Sequence, residues 1–221
     1  MQPFPKVIYI YDALCGWCFG FQKNIHDLHK KYSVYIEFEV LSGNMVPIEG
    51  RQHVGIMASY IASAYQRVEE LSGCKFGEGY LKHIFHPEES SLHLSSEMPG
   101  IALSIFKLAQ PEKAYDFAAR LQNALMVDGI DLEIPGNYRN LLEGYDLDAD
   151  DFVRALTTDE SRDLAHAEFA LVKQLGITGF PCVLVQVDER KLFMIARGYT
   201  PYEELEKRLE KVLDEFRIAN N

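Results

Sequence analysis

The chain has 221 residues, 48% hydrophobic and 25% charged, a globular composition that excludes a disordered or fibrous polypeptide and suits one domain, or one domain with an insertion. Its net charge of −11 opposes phosphate backbones and anionic lipid, which argues against nucleic acid and membrane surfaces as partners. Four cysteines are too few for a secreted disulfide scaffold, and neither a leader peptide nor an apolar run of about 18 residues is visible, so a reducing compartment, most simply the cytoplasm, is expected.

In chain order, Val7-Ile8-Tyr9-Ile10-Tyr11 is a continuous apolar run of the kind found in strands buried on both faces. Cys18, Phe21, Ile25, Leu28 and Tyr32 then recur at helical steps, with Gln22, Lys23, Asp27, Lys30 and Lys31 on the other face. Val34 to Leu41 alternates, placing Ile36, Phe38 and Val40 opposite Glu37 and Glu39. Such a β-α-β opening favours a parallel strand pair with a right-handed crossover. Helical spacing follows over Ile56 to Leu71, Met98 to Ala109, Ala114 to Met126, Phe152 to Leu156 and Ser161 to Leu175, punctuated by Pro111, Gly129 and Pro135-Gly136. Sheet returns with Cys182 to Val187 and Leu192 to Ala196, joined by a polar turn over Asp188 to Lys191. A last helix opens at Thr200-Pro201-Tyr202-Glu203, with Leu205, Leu209, Val212 and Phe216 as its apolar stripe. The expected fold is α/β: residues 1–46 and 176–221 form one βαβ…ββα sheet domain, interrupted between its second and third strands by a helical insertion over 47–175.

The sharpest chemical feature is Cys15-Gly16-Trp17-Cys18, where the first strand hands over to the first helix. Four cysteines scattered at random give a pair at this spacing only about 5% of the time. Cys15 falls at the first helical turn, where unpaired N–H groups and the helix dipole favour a sulfur anion, the nucleophile of disulfide exchange. Cys18 lies one turn deeper, in phase with the apolar stripe, and is expected to be the sheltered thiol that resolves a mixed disulfide on an exposed Cys15. The plainer alternatives are two inert buried cysteines or a zinc site. A zinc site lacks ligands: at 1.5 Å per residue His26 is ~12 Å along the helix from Cys18, and His26 and His29 read as a solvated face. No metal or other cofactor is expected.

The second feature is Gly176-Ile177-Thr178-Gly179-Phe180-Pro181, directly before the third main strand. A proline there marks a strand start, since it cannot donate to the ladder. The stretch resembles the cis-proline loop of the thioredoxin fold, which lies beside the redox pair and leaves the backbone of the preceding residue, here Phe180, free to pair with substrate. Together the two motifs resemble the DsbA-like family of thioredoxin-fold thiol oxidoreductases. Asp12-Ala13-Leu14-Cys15-Gly16-Trp17-Cys18-Phe19-Gly20 is similar to a subgroup described as protein-disulfide isomerases, with Asp three residues before the first Cys and Trp before the second. The resemblance implies a disulfide reductase or isomerase acting on a disulfide-containing protein or a small thiol, with Cys15 and Cys18 catalytic and Gly16, Trp17, Phe180 and Pro181 supporting them.

Two positions depart from the family pattern. The buried acid that many relatives keep six residues before the first Cys is replaced by Tyr9, and Asp12 is a substitute for it or simply a turn aspartate. Cys182 stands where a Thr or small apolar residue is commoner, and the resemblance places it near Cys18 as an inert buried thiol. Cys74 has no partner by sequence, and His83, His86 and His93 read as solvated loop histidines. The rival readings are a glutathione-dependent kappa-class transferase or isomerase, whose relatives carry Ser at the Cys15 position and lack Cys18, and a non-enzymatic binding module on the same fold.

Overall fold

The structure is a computed structural model and describes residues 5–220. Its elements run β1 (Lys6–Tyr11), α1 (Gly16–Tyr32), β2 (Glu37–Ser42), β3 (Gln52–His53), α2 (Gly55–Ser72), α3 (Glu78–Phe85), β4 (His93–Leu94), α4 (Glu97–Ala109) and α5 (Ala114–Met126). They continue with α6 (Tyr138–Leu141), α7 (Ala149–Ala155), α8 (Asp159–Gln174), β5 (Cys182–Gln186), β6 (Leu192–Arg197) and α9 (Tyr202–Asn220). Among the described residues the main sheet has the order β2-β1-β5-β6. β1 pairs parallel with β2 and antiparallel with β5, and β5 pairs antiparallel with β6. This is the thioredoxin-like α/β arrangement with a helical insertion between the second and third strands of the sheet.

Every residue of β1 is buried, as its unbroken apolar run requires of a central strand covered on both sides. On one face Val7, Tyr9, Val183 and Val185 join α1, α9 and the inserted helices in a single core that includes Phe21, Leu28, Phe106, Leu121 and Leu209. On the other face Ile8, Ile10, Leu41, Cys182 and Leu184 meet Val172 and Ile177. α8, though it precedes the return to sheet, thus covers the second face. Polar contacts fix it there: Glu168 pairs with Lys107 and accepts from Ser104, while Lys107 donates to the Val40 carbonyl at 2.9 Å.

Three local differences from expectation have identifiable causes. β2 begins at Glu37, because the amides of Tyr35 and Ile36 turn back onto the Tyr32 carbonyl and leave Val34 75% and Tyr35 80% exposed. The β3–β4 pair is two residues long on each side and too short to show alternation. α3 is hidden in the sequence by Gly77 and Gly79, which read as loop. Their role is close approach: a Cβ on Gly77 would sit 2.1 Å from the Val127 carbonyl oxygen, and one on Gly79 2.4 Å from that of Asp128. The first turn of α3 therefore rests on the backbone of the turn after α5, where Gly77 N donates to the Met126 carbonyl at 3.0 Å. Backbone cannot swing aside as a side chain can, so Gly77→Ala is expected to lose roughly 3 kcal/mol of stability. Urea unfolding measures this, and a loss under about 1 kcal/mol would show slack at the contact.

Candidate active site

Cys15 occupies the N-cap of α1 in an extended backbone conformation, and its Sγ accepts a hydrogen bond from Cys18 N at 3.3 Å. Serine, threonine and aspartate commonly cap a helix in this way; here a sulfur takes the position, facing the positive end of the helix. The Cys15 amide in turn donates to the Asp12 carbonyl at 3.1 Å, closing the turn between β1 and α1. From the other side the Phe180 carbonyl lies 3.6 Å from Cys15 Sγ, and the Phe180–Pro181 peptide is cis. The structure thus brings the two sequence motifs together, although residues 15 and 180 are 165 positions apart.

Cys15 is only 6% exposed and Cys18 is fully buried. The expected contrast of an exposed and a sheltered thiol is therefore narrower than the helical phase implied, because the Phe180 loop and the walls of an adjoining cavity close over Cys15. Burial, together with the hydrogen bond to the Cys15 sulfur, pushes the Cys18 thiol well above its ordinary range. Around the pair, Gly16 passes against the Phe76 ring, and Trp17 packs on Tyr199 with ring centroids 6.1 Å apart. The Phe180 ring fills the space a side chain at Gly43 would need, with a Cβ there only 2.1 Å from the ring, and the Pro181 carbonyl accepts from Gly198 N at 2.7 Å.

Asp12 is the residue whose importance the sequence understated. Its side chain is buried and accepts from Leu14 N (2.9 Å), Met45 N (2.7 Å) and Ser96 Oγ (3.0 Å). The first bond is the expected turn contact. The other two tie the Cys15–Cys18 loop to the segment after β2 and to the start of α4. Burial raises the Asp12 carboxyl above the ordinary range, and the three donors pull it back only in part. Tyr9, at the position of the missing acid, is buried beside the cysteines, its hydroxyl without a hydrogen-bond partner among the described residues.

Several expectations are corrected. Cys182 does not pack with Cys18: it pairs in register with Ile10 and lies in the core on the opposite face of the sheet from Cys18. Paired residues of neighbouring strands share a face, and Cys182 follows Ile10. Burial pushes its thiol up to about 11, with nearby Arg197 acting in the other direction. His29 is not on a solvated face but half-buried, stacked on Tyr115 with centroids 4.9 Å apart, and burial lowers it from its ordinary value. His83 is held between Ser90 Oγ (2.7 Å) and the Gly129 carbonyl (3.1 Å), and His93 meets His53 ring to ring at 5.3 Å; of His83, His86 and His93 only His86 is exposed. Cys74 is half-buried after α2 and packs against the core on that side of the sheet. Among the described residues no group of three or more His, Cys, Asp or Glu side chains is placed to hold a metal ion.

An α/β sheet with a cis-proline loop against a Cys-x-x-Cys helix start defines the thioredoxin-fold class. Within it, the model of the DSBA-like thioredoxin domain matches residues 6–210, and the chain belongs to that family. An inferred protein disulfide isomerase from Nitrosomonas europaea has the same fold, with a TM-score of 0.82, 24% identity and coverage of 96% of this chain and 99% of that one. The cytosolic disulfide reductase DsbM from Pseudomonas aeruginosa is similar at a TM-score of 0.75 and 24% identity, covering 95% and 98%. A 2-hydroxychromene-2-carboxylate isomerase shares the fold more distantly, with a TM-score of 0.64, 13% identity and coverage of 97% of each chain. No curated protein matches this sequence.

Proposed function

We propose that this chain is a thiol–disulfide oxidoreductase that works as a reductase or isomerase, with Cys15 as nucleophile and Cys18 as resolving thiol. The observation that carries the reading is the placement of Cys15 Sγ at the α1 N-terminus, accepting from Cys18 N and facing the Phe180 carbonyl. Cys15 thiolate bonds to one sulfur of the substrate disulfide while the other leaves as thiolate. Cys18, once deprotonated, bonds to Cys15 and releases the second sulfur. The dithiol loses two electrons, the substrate gains them, and the two thiol protons end on the two products. Gly16 and Trp17 shape the approach to the pair, and the backbone of Phe180, held by Pro181, pairs with the substrate. No helix among the described residues is long and apolar enough to cross a membrane. A reducing compartment would hold the pair as dithiol, which favours reduction over net oxidation, and the cytosolic location of DsbM is consistent with that direction.

Reduction of a small disulfide and of insulin, with a recycling reductant, tests the proposal. Turnover at least roughly tenfold above the reductant alone is expected, and its loss in a Cys15→Ser variant. Equal rates with and without the protein would remove the reading.

A further inference from the structure

Beside the redox pair the fold leaves an apolar cavity of about 180 Å³, with Cys15 and Trp17 on one side and Met57 and Ala64 of α2 on the other. Among the described residues no charged side chain lines it. Met45, Met57 and Met126, half of the six methionines of the chain, form part of its wall. Thioether side chains are unbranched and polarisable, and they conform to apolar groups of differing outline. An apolar cavity of about 150 Å³ takes up benzene, so the volume here suits one phenyl ring or one branched aliphatic group. Cys15, which lines the cavity, also carries the sulfur facing the Phe180 carbonyl, so a group bonded to that sulfur has the cavity as its neighbour.

We propose that the cavity binds an uncharged aromatic or branched aliphatic group carried on one sulfur of a low-molecular-weight disulfide. The inference rests on the reading of Cys15 as nucleophile. In the first exchange Cys15 bonds to the sulfur that bears the apolar group, and the other sulfur leaves as thiolate. The apolar group stays in the cavity until Cys18 bonds to Cys15 and the apolar thiolate departs. Two electrons pass from the dithiol to the disulfide, and two thiol protons go to the two products. A carboxylate or ammonium in this cavity would lose its hydration without a counter-charge, and a polypeptide segment would bring backbone groups that the few polar atoms of the lining cannot satisfy.

Trp17 is the single tryptophan, so its fluorescence reports on the cavity directly. The reduced protein is titrated with benzyl methyl sulfide, a thioether that cannot exchange, and with 2-(methylthio)ethanol as its polar counterpart. A saturable change is expected with the benzyl compound, at a Kd roughly tenfold or more below that of the polar one. Ala64→Phe, which places a ring in the cavity, should abolish the saturable change, and Ala64→Leu should do the same if the larger variant fails to unfold cooperatively. Equal responses to the two sulfides, no saturation, or an unchanged response in a folded cavity-filling variant would overturn the proposal. So would a fluorescence change with protein concentration alone, which would mean that a second copy covers the mouth. Because a thioether cannot exchange, these outcomes do not depend on Cys15 chemistry. A saturable response in a protein that reduces no disulfide would keep the binding cavity and overturn its assignment to a disulfide.

Discussion

A Cys18→Ser variant is expected to stop after half a reaction cycle and to accumulate substrate on Cys15 as a mixed disulfide. The first exchange needs only a thiolate at Cys15, whose sulfur keeps its cap position and the N–H of residue 18 in the variant. The second needs a thiol that the variant lacks, so steady turnover should fall by about 10³ or more while trapping becomes nearly stoichiometric. Cys15→Ser should trap far less, because Cys18 is fully buried and burial alone, the largest cause of its raised titration, still disfavours its thiolate. The same raised titration sets a pH dependence in the native protein. Only the thiolate attacks, so release of a mixed disulfide should accelerate about tenfold per pH unit through neutral pH, until Cys18 itself titrates. Mass-spectrometric mapping of the trapped linkage, with release rates across pH, measures both. Trapping mainly at Cys18 would reverse the roles of the two thiols, and a release rate flat from pH 6 to about 9 would show that Cys18 is not held protonated in the mixed disulfide.

The fold was readable wherever one chain segment carries its own pattern. β1 and β5 announce themselves as continuous apolar runs, and α5 was expected over the same Ala114–Met126 span in which it forms. The Cys15–Cys18 loop was legible as a candidate site because both thiols lie within four residues. What escaped depends on contacts between distant segments. Gly77 and Gly79 look like loop residues until the backbone of Val127 and Asp128 is placed against them. Alternation alone says that Cys182 and Val183 face opposite ways, yet only pairing with Ile10 and Tyr9 decides which of the two shares a core with Cys18. His29 has the spacing of a surface position, and it is Tyr115, 86 residues on in α5, that covers it. The cavity beside Cys15 is of the same kind, assembled from α1, α2, the loop after β2 and the end of α5.

Asp12 is the most consequential of these distant linkages, and Asp12→Ala is expected to cost about 2–4 kcal/mol of stability. The substitution leaves three donors, the part-buried Leu14 N and Met45 N and the buried Ser96 Oγ, without their acceptor. Ser96 cannot compensate, because its Oγ already accepts from Val46 N at 2.9 Å and its own amide donates to the Val46 carbonyl. Offsetting part of the loss, the variant no longer buries a carboxylate that has no cation beside it, which is why the cost stays below the sum of three separate bonds. The pH dependence gives the sharper test. Burial raises the folded-state titration of Asp12 above its unfolded value of 3.8, so the folded chain binds the proton more readily than the unfolded one. The contribution of Asp12 is then fully present below that unfolded value and diminishes as pH rises through the folded one, the reverse of a salt-bridged carboxylate. The stability gap between the native protein and Asp12→Ala, measured by urea unfolding, should therefore be wider near pH 4 than at pH 7. A gap that instead widens toward neutral pH would mean that the three donors outweigh burial and hold Asp12 as a stabilised anion beside Cys18.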